Sequence, residues 1–315
     1  MSLLEVSHLR KAFGNNVAID DLSFRVEEGE IFGLVGPNGA GKSTTMMILA
    51  GLRQADSGTV KIAGQATVQA RHNVQRMLGL VPQDLAVYGD LTARENLVFF
   101  GEIYDVPSKE IEQRIERVLR QVGLEPHADQ YVRTFSGGMK RRLNFGVALI
   151  HEPRLLILDE PTVGVDPQSR SHILDCVRQL ATDGVGVIYA SHYMEEVEAV
   201  CERVAVLDHG KLLALGTLEE LVDTSQADVD VRVAASQADL KHSLAGLANV
   251  VATNGHESLA VIKRERKTAT GLGTRRIAKV VDALAAADFE ILSIETGQQN
   301  LETFFLERTG RTLRD

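Results

Sequence analysis

The sequence predicts an α/β protein with a small α+β unit at its C-terminal end. Three observations carry that expectation. Short apolar runs of strand type alternate with stretches of helical period as far as Gly216. A glycine-rich segment joins one such strand to the helical run after it. Beyond Gly216 the texture changes, and Asp223 to Asp230 is polar enough to serve as a linker. A length of 315 residues suits about two domains at roughly 150 residues each, and the expected division is 1–222 and 223–315.

Taken in order, the first thirty-five residues read as strands. LLEVSHL precedes a Gly14-Asn15-Asn16 turn, AIDDLSFRV precedes a Glu28-Gly29 turn, and EIFGLVG runs into the glycine-rich segment. Further strand-like runs are Thr59 to Ile62, Leu78 to Val81, Leu155 to Leu158, Val185 to Tyr189, Val204 to Leu207 and Leu212 to Leu215. The clearest helix is Ser108 to Val122, where Ile111, Ile115, Val118, Leu119 and Val122 fall on one face and charged residues fill the other. Behind the linker the order is β (Val229 to Val233), α (Gln237 to Leu247), β (Val250 to Thr253), β (Leu259 to Lys263), α (Arg275 to Ala287) and β (Glu290 to Ile294), which suits a split βαβ arrangement. The basic stretch RERKTATGLGTRR reads as a solvated loop, with contact to an anionic surface as the sharper alternative.

Composition excludes several classes. Hydrophobic residues at 44% and charged residues at 24% allow a sizeable core and exclude global disorder. Thirty-four Lys and Arg against 43 Asp and Glu leave a net charge of -9, which repels a phosphate backbone and argues against a nucleic-acid partner. Cys176 and Cys201 form no CxxC pair and are expected to be buried filler in a reducing compartment. Charges interrupt the apolar residues of MSLLEVSHLRKAF before a signal-peptide core can form. Apolar runs such as Leu97 to Phe100 fall far short of the roughly 20 residues that span a bilayer, so any membrane contact is expected through another chain.

Three motifs carry chemistry. GPNGAGKST comprises Gly36, Pro37, Asn38, Gly39, Ala40, Gly41, Lys42, Ser43 and Thr44, matches GxxxxGK[ST] in full, and follows the strand Ile31 to Val35 with the helical run TTMMILAG after it. Glycines let successive N–H groups curve around a β-phosphate, the helix aims its positive end at the anion, and Lys42 reaches the β/γ-phosphates. Ser43 is then a ligand for Mg²⁺. A nucleoside triphosphate site of the P-loop NTPase kind is expected. RLLILDEPT is an apolar strand ending in two carboxylates. Of these, Asp159 suits the Mg²⁺ shell, and Glu160 is the candidate general base that polarises the attacking water. FSGGMKRRL places Ser136, Gly137 and Gly138 just ahead of a helical pattern, a second bare-backbone helix start able to receive phosphate oxygens. Lys140, Arg141 and Arg142 read as a solvated face.

GPNGAGKST, LVPQD, FSGGM, LLILDEPTVGVD and YASH, in this order, resemble the nucleotide-binding subunit of an ATP-binding-cassette (ABC) transporter over about residues 3 to 220. The resemblance implies a cassette fold: a mixed central sheet, an antiparallel β subdomain and a helical subdomain carrying the SGG segment. It implies that Phe13 stacks on adenine and that Gln83 senses Mg²⁺ and couples to the membrane partner. Ser136, Gly137 and Gly138 would bind the γ-phosphate of ATP held by the opposite subunit, Asp166 would bridge the subunits, and His192 would contact the γ-phosphate. LTARENL, FSGGMKRR and the tail NLETFFLERTGRTLRD resemble the ATPase subunits of bacterial drug-efflux and nodulation-factor exporters. Met139 stands where the signature usually has Gln, Phe13 where Tyr is commoner, and VGVD where SALD is usual.

The expectation is therefore an ATPase subunit that closes with a second copy of itself around two MgATP, at the inner face of the cell membrane. It would drive export through a multi-spanning permease reached by the groove around Gln83 and Tyr88. The alternatives are a soluble ABC ATPase acting on ribosomes or DNA, and a non-hydrolysing regulatory module. A single cassette, an acidic balance and the presence of Glu160 and His192 weigh against them.

Overall fold

The computed structural model describes residues 2–67, 71–221, 229–234, 239–240, 244, 249–254, 257–262, 272–296, 301 and 304–305. Two compact units divide the chain, Met1–Leu218 and Glu219–Arg308.

In the first unit, β1 (Ser2–Phe13) and β2 (Asn16–Glu27) form an antiparallel hairpin, turned at Gly14 with φ +58°. β4 (Ser57–Ile62) and β5 (Gln65–Ala66) extend it in the order β2-β1-β4-β5. β1 runs beyond the expected LLEVSHL through Arg10 and Lys11. It is paired on both sides, Lys11 with Ile19 and Arg10 with Ser57, so ladder hydrogen bonds carry the strand through a charged stretch that periodicity alone would end.

The second sheet contains β3 (Ile31–Val35), β6 (Leu78–Val81), β7 (Leu155–Asp159), β8 (Gly186–Ser191), β9 (Arg203–Asp208) and β10 (Lys211–Thr217). Its order is β10-β9-β3-β8-β7-β6. Five strands are parallel and β10 is antiparallel to β9, a mixed sheet. Leu155 to Leu158 and Val187 to Ala190 are fully buried, as continuous apolar strands covered on both faces must be. One core joins the two sheets, with the Phe24 and Phe32 rings stacked at 5.0 Å.

The helices of this unit are α1 (Lys42–Leu49), α2 (Arg71–Met77), α3 (Ala93–Ile103), α4 (Ser108–Gln121), α5 (Gly137–Val147), α6 (Pro167–Thr182) and α7 (Met194–Val200), and α8 (Leu218–Leu221) begins at its last residue. α4 buries Ile115, Val118 and Leu119, the face its spacing predicts. α3 opens on a capping box: Thr92 accepts from the Glu95 N–H while Glu95 accepts from that of Thr92. This gives LTARENL a local physical reason.

The second unit contains β11 (Val229–Val233), β12 (Asn249–Asn254), β13 (Glu257–Ile262), α9 (Leu272–Ala286) and β14 (Ile291–Thr296). Its antiparallel order β12-β13-β11-β14 inserts β13 between β11 and β12, the split arrangement expected. Val231, Val233, Leu240, Leu244, Val280 and Leu284 form its core. Most of the predicted helix Gln237 to Leu247, the linker up to residue 228 and the basic stretch up to residue 271 lie outside the described residues. No described helix is long and apolar enough to cross a membrane.

Candidate active site

Two glycines of the segment from β3 to α1 leave no room for a side chain. A Cβ on Gly36 would lie 2.3 Å from the Leu207 carbonyl oxygen. Gly41 has φ +103°, and its Cβ would meet the Ala18 oxygen at 2.4 Å. Gly41 in this left-handed conformation starts the helix at Lys42, two residues ahead of the predicted TTMMILAG, and its carbonyl accepts from both the Thr45 N–H and hydroxyl, each at 2.9 Å. Asn38, Gly39 and Ser43 are exposed, Pro37 and Thr44 are half-buried, and Ala40 and Lys42 are buried. The Lys42 Nζ donates to the carbonyls of Gly36 at 2.5 Å and Pro37 at 3.1 Å. Burial lowers its pKa, and the charges of Glu160 and Asp159 pull it partly back.

Parallel strands gather the remaining groups. β6, β7 and β8 are neighbours pointing the same way, so the residues at and just past their C-terminal ends emerge together. Gln83, Asp159, Glu160 and His192 are those residues. Asp159 has Ser43 beside it; burial raises its pKa and the Ser43 hydroxyl opposes the rise. The buried Glu160 holds His192 Nδ1 at 2.9 Å on Oε1 and accepts from Gln83 Nε2 at 3.2 Å on Oε2. Its backbone is left-handed at φ +49°, with its N–H donating to the Ala190 carbonyl at 2.9 Å. For a non-glycine residue this conformation costs of order 1–3 kcal/mol, and it persists only where the surroundings over-determine it.

Ser136 caps α5, its hydroxyl accepting from the Met139 N–H at 3.2 Å. Gly138 is packed tightly: a Cβ there would meet Ser169 Oγ at 2.3 Å and Asp166 Oδ2 at 2.5 Å. Gly137 is open, with only the Gly164 oxygen at 4.0 Å. Asp166 caps α6, accepting from the Ser169 N–H at 2.9 Å, and backbone donors hold its carboxyl below the usual range. These residues form a second cluster. Phe13, 41% exposed at the end of β1, is flanked by the Arg53 guanidinium at 4.9 Å and the Lys11 ammonium at 5.5 Å from its ring centre.

Lys140, Arg141 and Arg142 are not a solvated face. Arg141 is buried, and its guanidinium donates to the carbonyls of Gln83 at 2.6 Å, Pro82 at 3.3 Å and Val163 at 3.4 Å. Arg142 donates to Val122 and Gly123, both at 3.0 Å, and Lys140 is half-buried. Cationic side chains are the donors this helix uses to hold neighbouring carbonyls, and a charge run read from sequence does not show what packs over it. Both cysteines are buried, and burial raises both thiol pKa values, in keeping with filler.

The ABC transporter family model matches residues 19–163. Linearmycin resistance ATP-binding protein LnrL of Bacillus subtilis (strain 168) is 41% identical, over 99% of this chain and 100% of its own length. The chain belongs to the ABC transporter family as an ATP-binding subunit. Nod factor export ATP-binding protein I of Ralstonia nicotianae is 37% identical over 99% of this chain and 95% of its own. A solved ATP binding subunit of an ABC transporter superposes with TM-score 0.65 at 31% identity, covering 70% of this chain and 92% of that one. The cbiO1 subunit of Clostridium perfringens, part of the cbiONQ complex, gives 0.65 at 26% identity over 70% and 90%.

This ABC ATP-binding subunit is an ATPase, and the proteins named above include an export ATP-binding protein and a solved ABC transporter subunit, which leaves the ribosome or DNA alternative without support among them. Its fold carries three side chains that sequence reasoning missed. With Arg141, Asn144 holds the loop after β6 by accepting from the Ala86 N–H at 2.9 Å. Asn96 accepts from the Tyr88 N–H at 2.8 Å and donates to the Tyr88 carbonyl at 3.0 Å. The available signal was a polar residue set among the apolar positions of a helix.

Proposed function

We propose that two copies of this chain close head to tail on two ATP molecules, hydrolyse them, and thereby drive export through a separate multi-spanning permease at the inner face of the membrane. The observation that carries the reading is Glu160, whose two carboxylate oxygens engage His192 and Gln83 beside Lys42. On this reading Lys42 leaves the carbonyls of Gly36 and Pro37 for the β/γ-phosphates, and the N–H groups of Gly36 to Thr44 cradle them. Phe13 stacks on adenine. Glu160 orients water for in-line attack and takes its proton, while His192 contacts the γ-phosphate. Ser136 to Gly138 of the second copy cover that phosphate, Asp166 bridges the copies, and closure excludes water.

The Ser43 hydroxyl and the Asp159 carboxylate beside it are hard oxygen donors, which fits Mg²⁺; with Gln83 they would hold it. When bound, the ion neutralises charge developing on the phosphoryl oxygens. Membrane attachment is through the permease alone, by the groove around Gln83 and Tyr88. The second unit serves as an accessory domain.

Gly137 provides the test of the paired arrangement. Nothing within the subunit crowds it, so Gly137→Glu leaves the fold intact while setting a carboxylate where the partner's phosphate would lie. Light scattering of Glu160→Gln with MgATP should give the mass of two chains, and adding Gly137→Glu should return it to one. Pairing that survives the added carboxylate removes the second cluster from the interface.

A further inference from the structure

We propose that Glu196 and Arg170 are positioning residues for hydrolysis, which close a ring of side chains that fixes His192 against Glu160. The proposal rests on the roles given above to those two residues.

Glu196, in the first turn of α7, is a carboxylate only 4% exposed. Its Oε2 accepts from the hydroxyls of Thr162 at 2.6 Å and Tyr189 at 2.7 Å, with Ser191 Oγ at 3.5 Å. Arg170 Nε approaches its Oε1 to 3.1 Å without hydrogen-bond alignment, an electrostatic contact. An ionised group is costly to bury, and an apolar residue of similar volume holds a fold as well or better. The four partners, however, come from the three segments that meet at the catalytic carboxylate. Thr162 lies two residues after Glu160, Tyr189 and Ser191 belong to the strand that ends just before His192, and Arg170 stands one turn into the helix capped by Asp166.

The circuit closes through Tyr193. Its ring lies 4.2 Å from that of His192, and the Arg170 guanidinium stands over it at 5.4 Å. Its N–H donates to Ser191 Oγ at 2.9 Å. From Glu160 the contacts run to His192, Tyr193, Arg170, Glu196 and Thr162, and the backbone returns them to Glu160. A carboxylate on a left-handed backbone and an imidazole on a short connection are thereby held by one network, which the helix behind Asp166 also enters.

The test is a double-mutant cycle in the full chain, read as phosphate release at saturating ATP alongside ATP affinity by equilibrium titration. Arg170→Met should lower turnover about tenfold, within the range that members of one network show, with affinity unchanged. In a His192→Ala background it should lower turnover no further. Arg170→Lys, which keeps the cation, should recover most of the loss. Tyr193→Leu breaks both ring contacts and leaves no buried charge unpaired, so it decides the matter should Arg170→Met fail to fold. An equal loss from Tyr193→Leu or Arg170→Met in both backgrounds, or a parallel loss of ATP binding, overturns the ring and leaves the proposed function standing. Unaltered turnover in His192→Ala alone instead overturns the role given to His192, and this proposal with it.

Discussion

Replacing Glu160 by Gln changes one charge and almost no volume. The site is buried, and the amide retains an oxygen to accept from Gln83 and a nitrogen to face His192, so the geometry at 3.2 Å and 2.9 Å survives. What disappears, on the proposed mechanism, is the proton acceptor for the attacking water. A positioned base contributes about 10² to 10⁴ in rate, which at about 1.36 kcal/mol per tenfold is about 2.7 to 5.4 kcal/mol of barrier. A second effect has the same origin. Lys42 is held down in pKa by burial and pulled back by Glu160 and Asp159; with one of those charges gone, its proton leaves more readily. ATP affinity of the variant should therefore match the unaltered protein at neutral pH and weaken sooner as pH rises. Equilibrium nucleotide titrations across pH and phosphate-release rates measure both. Turnover within a few-fold of normal would remove Glu160 from its role, however well ATP bound.

Arg141→Ala strips a buried guanidinium from the carbonyls of Pro82, Gln83 and Val163. The cost of such unsatisfied groups is about 1–3 kcal/mol, visible in the urea midpoint, with a fall in turnover because the Gln83 loop loses its tether; a change under about 0.5 kcal/mol, typical of a surface site, would contradict the packing. His151 is buried, its Nε2 at 3.0 Å from the Leu78 carbonyl, and burial lowers its pKa from 6.5 to about 4. Below pH 6.5 the unfolded chain takes up a proton that the folded chain refuses, so stability falls as pH drops from 6.5 to about 4, by up to about 3 kcal/mol. His151→Gln should flatten that slope in denaturation midpoints, and an unchanged slope would count against the burial.

Local patterns carried much of this. The strand runs, the amphipathic α4 and the contiguous Gly36 to Thr44 were legible because each depends on neighbours in sequence, through turn glycines, face periodicity or consecutive N–H groups. Glu160 stood out as a candidate because an apolar strand ending in two acids is a local pattern as well. Arg141 was misread, since its carbonyl partners lie 58, 59 and 22 residues away along the chain. α3 entered the sequence reading only through LTARENL as a resemblance motif, although its capping box was present in the residues.

By itself, then, the sequence determined the phosphate loop, the two acids at the end of β7, the buried strands and the succession of strands in the second unit, all of which follow from short-range backbone and burial preferences. Only the tertiary structure decided that Gln83, Glu160 and His192 meet, because that depends on β6, β7 and β8 lying side by side in parallel, and strand order is not written in any one segment. It also decided which charged residues are structural. Arg141 and Glu196 are charged residues on helices, and only the strand, helix and loop segments packed against those helices turn them into buried polar centres.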